Sequence, residues 1–106
     1  MIFITGPLFS GKREFARTLC EEDEMICDVQ NLAAGEPDLP TLAERLSRQY
    51  TVVIATEVGG GVVPVDAGER AAREAAGRLA FLLAQRADTV VRVFCGLPMA
   101  LKGELP

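Results

Sequence analysis

The chain has no histidine, no tryptophan and a single tyrosine among its 106 residues. Without histidine its own residues cannot build Ser-His-Asp, Cys-His or phosphohistidine chemistry, and no Cys/His zinc site can be completed. One tyrosine, a net charge of −4 and a pI of about 4.8 leave no basic stripe or stacking platform for nucleic acid. No apolar run approaches the roughly 18 residues that would suggest a membrane span. The opening "MIFITGP" lacks a basic n-region and is too short for a signal peptide, so the chain reads as cytoplasmic. Cysteine is scarce as well. Cys20, Cys27 and Cys95 form no CxxC pair, and the expectation is three reduced thiols, at least two of them in buried strands.

What is present suits one small domain, residues 1–106, with 49% of the chain apolar. A core built from so short a chain is small, which makes a homo-oligomer the expectation. "MIFIT" is a short apolar run rich in β-formers that ends at glycine, and predicts a buried strand. Helical spacing of Phe15, Ala16, Leu19 and Cys20 predicts a helix from Gly11 to about Cys20. "EEDE" reads as an acidic turn, "MICDV" as a second strand ending near Asp28, and "NLAAGEPDLP" as loop. Asp38 or Thr41 is placed to cap a helix over "TLAERLSRQY".

"TVVIATEV", residues 51–58, has the unbroken β-branched character of a central parallel strand. "GGGVVP" reads as loop, and Asp66 opens a long helix over about 67–87 with Ala71, Ala75, Leu79, Leu82 and Leu83 on its apolar side. "TVVRVFCG" is the last predicted strand and "LPMALKGELP" a tail. Alternating strands and helices predict an α/β fold with a mostly parallel sheet of about four strands flanked by helices. Ligands in such sheets bind at the carboxyl ends of the strands. The loop after the first strand, Asp28 and Glu57 all fall there.

The loop "GPLFSGKR" is close to the phosphate-binding pattern G-x-x-x-x-G-K followed by Ser or Thr. In such a loop Gly6, Pro7, Leu8, Phe9, Ser10, Gly11, Lys12 and Arg13 would line the nucleotide, and their backbone N–H groups, which Pro7 lacks, would form the cradle. Gly6 and Gly11 allow close approach, and Lys12 is the candidate catalytic cation for the β and γ phosphates. The alternative is an ordinary glycine turn between strand and helix. Two residues depart from the pattern. Arg13 stands where a hydroxyl would hold Mg²⁺, and it either contributes charge to a phosphate or points to solvent. Pro7 removes one N–H donor. Asp28 is the candidate acid for Mg²⁺, the alternative being a turn residue. Glu57, with Gly59 and Gly61 beside it, marks a possible substrate or metal region, the alternative being a solvated loop charge. Glu69–Arg73 and Glu74–Arg78 have the spacing of surface ion pairs.

"FITGPLFSGKREFA", "ICDVQNL" and the whole stretch from Thr51 to Lys102 together resemble the adenosylcobinamide kinase / adenosylcobinamide-phosphate guanylyltransferase family. "EVGGGVVP", "RAAREAAGRLA" and "RADTVVRVFCGLPMALK" are the most specific matches. The resemblance implies a P-loop kinase-like fold, often trimeric, that acts in cobalamin biosynthesis. It implies ATP or GTP with Mg²⁺ as cofactors, a nucleotide and a corrinoid as partners, and phosphorylation of the cobinamide alcohol. By position, residues 6–13 correspond to the family's nucleotide loop and Asp28 to an acidic nucleotide-site residue. Departures accompany it. Members are usually nearly twice this length, and the segment carrying the guanylated histidine is missing between the first helix and "EMICDV". No histidine is present, so guanylyl transfer by that route is not expected of this chain. Ala80-Phe81 replaces an Asn-Gln pair. Three readings stand together: a minimal kinase, a non-catalytic nucleotide- or corrinoid-binding relative acting in assembly or regulation, and a remnant without ligand.

Overall fold

The computed structural model describes residues 1–58 and 66–106. The expected "GGGVVP" loop, with Gly59 and Gly61, lies outside the described residues.

Five strands form one sheet: β1 (Ile2–Gly6), β2 (Met25–Ile26), β3 (Val52–Thr56), β4 (Thr89–Phe94) and β5 (Leu97–Lys102), in the order β2-β3-β1-β4-β5. β1 lies centrally, parallel to β3 and β4, in a register that sets Ile4 beside Ile54 and Val91. Strand residues alternate between faces. Phe3, Val53, Ala55 and Val90 therefore share one face, and Ile4, Val52, Ile54, Val91 and Val93 the other. Helices α2 (Gln30–Ala33), α3 (Leu39–Gln49) and α4 (Ala67–Arg86) pack on the first face through residues that include Leu42, Leu46, Leu79 and Leu83. Helix α1 (Lys12–Arg17) covers the second face through Ala16. Each fully buried Leu or Ile of these layers contributes about 1.5–3 kcal/mol.

Local chemistry starts the helices. Asp38 caps α3 by accepting from the Thr41 amide (3.2 Å) and the Thr41 hydroxyl (2.7 Å), so both expected candidates take part. Asp66 caps α4 by accepting from the Gly68 amide at 2.9 Å. The far end of α4 is closed from elsewhere in the fold. Lys102 on β5 donates to the Ala84 and Gln85 carbonyls at 3.0 and 3.2 Å. Glu69 and Arg73 form the expected pair at 3.3 Å.

Several expectations are corrected. The sheet has five strands rather than four, because "LPMALK" is a strand and not a tail. It pairs antiparallel with β4 across a two-residue turn, Cys95-Gly96, in which both residues have positive φ (52° and 75°). Turns of this kind match the twist of a hairpin. β2 stops at Ile26 because Asp28 adopts a left-handed conformation (φ 56°) and breaks the extended run. The stretch "NLAAGEPDLP" holds one helical turn, α2, too short to show periodicity. α1 ends at Arg17, and Thr18 turns its hydroxyl onto the Phe15 carbonyl. On α4, Ala71 is exposed, and the buried side runs through Ala76, Leu79 and Leu83. The three thiols are free, but none lies in a strand. Cys20 and Cys27 are half-buried and Cys95 is exposed. No helix among the described residues is long and apolar enough to cross a membrane.

Candidate functional site

β1 ends at Gly6, and residues 7–11 carry the chain over the carboxyl ends of the strands into α1. The loop is held from beneath. The Gly96 amide of the β4–β5 turn donates to the Ser10 carbonyl at 2.8 Å, and a Cβ added at Gly11 would come within 3.2 Å of Gly96 Cα. Gly11 itself has φ 95°, a conformation that glycine adopts without strain. At Gly6 an added Cβ would strike the Val93 carbonyl oxygen. Both glycines of the motif are therefore required by close packing against β4 and its turn.

The cleft under this loop has a volume of about 290 Å³ and is walled by residues 8–14 on one side and by Cys27, Asp28, Ile54 and Thr56 on the other. Lys12 lies within it at 8% exposure. Its ammonium donates to the Pro7 carbonyl at 2.6 Å and reaches Ser10 Oγ at 3.5 Å, so it closes a ring across the loop. Burial lowers the Lys12 pKa, against the opposing pull of Asp28, Glu57 and Glu14. Leu8 and Phe9 form the exposed lip of the loop. Phe9 is 95% exposed and adopts φ 60°. A bulky side chain in that conformation, burying nothing, is strain without a packing return.

Asp28 faces the loop across the cleft. Its Oδ1 accepts from the Thr56 hydroxyl at 3.2 Å and from Gln30 Nε2 at 3.4 Å. Gln30 in turn accepts from the Thr56 amide at 2.9 Å. Oδ2 lies 3.9 Å from the Arg13 guanidinium. Arg13 also reaches Cys27, the first cause of its raised pKa. Of the two fates expected for Arg13, it takes neither outright. It leans over the cleft floor, about half exposed, toward the acid it was expected to leave for a metal.

Glu57 is committed elsewhere. Arg92 donates to both of its oxygens at 2.9 Å, Nε to Oε2 and Nη2 to Oε1, and the Glu57 amide donates to the Gly6 carbonyl at 2.9 Å. The ion pair bridges from β3 to β4 over the end of β1, where the loop begins. The Arg92 hydrogen bonds hold the Glu57 carboxyl below its ordinary pKa, with a further contribution from Thr5. Sequence reasoning missed Arg92, Thr56 and Gln30. Arg92 carried a signal, a lone charge inside the apolar strand "TVVRVF". Thr56 and Gln30 carried none.

The donors present do not suit a resident Mg²⁺. The hydroxyl position holds a guanidinium, which has no acceptor atom. Asp28 Oδ1 already accepts from two donors, Oδ2 faces the Arg13 guanidinium at 3.9 Å, and no cluster of three His, Cys, Asp or Glu able to hold a metal occurs among the described residues.

The model of the cobinamide kinase / cobinamide phosphate guanyltransferase family matches residues 36–101, from just before α3 through nearly all of β5. The chain belongs to this family. It is also 35% identical over 89 residues to the bifunctional adenosylcobalamin biosynthesis protein CobP of Pseudomonas aeruginosa, an alignment covering 82% of the chain. The chain spans about half the length of that curated relative, 50% of it. The family match begins downstream of residues 6–13 and Asp28. The family-model match therefore does not include that loop, whose reading rests on its own geometry.

Proposed function

We propose that this chain is a nucleotide-binding, adenosylcobinamide kinase-like protein of cobalamin biosynthesis that takes the phosphates of ATP or GTP on residues 6–13. The observation that carries the reading is Lys12, buried in a cleft at the end of β1 with its ammonium turned into the loop. A cleft of about 290 Å³, with Leu8 and Phe9 on its exposed lip, supports this reading by its size. Phosphoryl transfer asks mainly for positioning and charge stabilisation, which a small scaffold can supply. Guanylyl transfer through a histidine is not within reach of this chain's residues. Exposed Leu97, Met99 and Leu101 on the edge strand β5 support the further proposal that the chain works as a homo-oligomer.

A second reading, nucleotide binding without turnover, is favoured by the Arg13–Asp28 contact where a kinase places its metal. Calorimetric titration of ATP and GTP into wild type and Lys12→Ala tests the site. Losing the charge-assisted contact should weaken binding about 10- to 100-fold. Lys12→Met, which keeps the stem, serves as the folding control. Phosphate transfer to adenosylcobinamide then separates kinase from binder. Equal, negligible binding by all three proteins would end the nucleotide reading.

A further inference from the structure

We propose that the Arg13 guanidinium supplies the positive charge that a divalent cation supplies in related loops, so that phosphate binds at this site without metal. The proposal rests on the nucleotide reading above and sharpens it.

Three observations carry it. First, position 13 is the second residue of α1, directly after Lys12, so its side chain starts beside the loop. Second, the guanidinium lies 3.9 Å from Asp28 Oδ2, with both side chains about half exposed. At that distance the pair is loose. Most of the five guanidinium N–H donors stay available, and a planar fork of this kind matches two phosphate oxygens at once. Third, the remaining donors on the cleft are wrong for a metal. Asp28 Oδ1 is shared between Thr56 and Gln30, and among the described residues the only other carboxylate on the cleft wall is Glu14, on the loop side. A cation entering beside Asp28 would displace Arg13 from its acid and meet a like charge.

The arrangement also assigns Asp28 a role. It holds the guanidinium over the cleft in the absence of ligand, and is a positioning residue rather than a metal ligand. When phosphate arrives, Arg13 and Lys12 meet it from adjacent positions of one helical turn. The two cations match the charge that a lysine and part of a metal's charge would otherwise provide.

The test is titration of ATP and GTP into wild type, Arg13→Ala, Arg13→Lys and Arg13→Ser, each with Mg²⁺ and with EDTA, and circular dichroism to confirm folding. Wild type is expected to bind equally under both conditions, within about twofold. Arg13→Ala should weaken binding about tenfold under both, and Arg13→Lys should recover part of that loss, since it keeps the charge and loses the fork. Arg13→Ser restores the hydroxyl and should make binding depend on Mg²⁺. Electron paramagnetic resonance of Mn²⁺ with ATP should then show a protein ligand to the metal in Arg13→Ser, and only nucleotide and water ligands to it in wild type. Strengthening of wild-type binding by about tenfold with Mg²⁺ would overturn the proposal while leaving the nucleotide site intact. An Arg13→Ala protein with unchanged affinity would do the same. No binding by any variant would overturn both this proposal and the reading beneath it.

Discussion

Gly6→Ala and Gly77→Ala make the same chemical change and are expected to move stability in opposite directions. At Gly6 the added methyl would strike the Val93 carbonyl oxygen and come within 2.8 Å of Ser10 Oγ. Val93 is fully buried in β4, so the obstacle is backbone in the middle of the sheet and cannot swing away. Overpacking costs about 1–3 kcal/mol, and a backbone obstacle places this case near about 3 kcal/mol. With an unfolding entropy of about 2.1 cal/mol/K per residue, a chain of this size loses about 13 °C of Tm. Gly77 sits inside α4, exposed, with no atom of the described residues within 4 Å of an added methyl. There the helix gains about 0.8 kcal/mol, or about 4 °C. Thermal melts followed by far-UV circular dichroism measure both. A Gly6→Ala protein melting within about 3 °C of wild type would refute the claim that β4 sets the shape of the loop. A Gly77→Ala protein melting below wild type would refute the open-space reading of α4.

Further outcomes are expected. Cys95 holds φ 52° at the first position of the β4–β5 turn, so Cys95→Asn should stabilise the chain by about 0.5–1 kcal/mol, read as a higher Tm. Glu57 has a lowered pKa, so its pair with Arg92 contributes stability above the ordinary Glu pKa and loses it as pH falls through the lower folded value. Glu57→Gln should therefore lower Tm slightly at neutral pH, with the difference vanishing in acid, where both proteins carry a neutral side chain. An equal loss at both pH values would show that packing, not charge, sets the effect. Lys12→Ala should weaken ATP and GTP binding, and the Arg13 series should separate metal-free from metal-dependent binding, by the titrations described above.

Much of the fold was legible because its signals are local. The apolar strands at 1–5, 51–58 and 89 onward, the caps Asp38 and Asp66, and the spacing from Gly6 to Lys12 each act over a few residues. The missed elements depended on partners far along the chain. β5 alternates Leu97, Met99 and Leu101 over only six residues and includes Pro98, and it is a strand because the Cys95-Gly96 turn folds it back onto β4. That turn carried half a signal of its own, Gly96 being suited to positive φ and Cys95 not. α2 is a single turn held by packing against α4. Ala71 follows the helical stripe on paper but falls beyond the part of α4 that the sheet covers.

The candidate site divides the same way. The sequence by itself determined the G-x-x-x-x-G-K spacing of residues 6–12, the arginine at position 13 and the lack of any histidine, because these are matters of residue identity and spacing. Only the tertiary structure decided what those residues face. The loop rests on a hairpin turn some 85 positions away in the chain, Glu57 is claimed by Arg92 across β1, and Arg13 stands against Asp28. Such pairings arise from strand order, which sets β1 between β3 and β4 and brings their carboxyl ends to one edge. Strand order is fixed by burial of both sheet faces, a property of the assembled core that no short stretch of sequence contains.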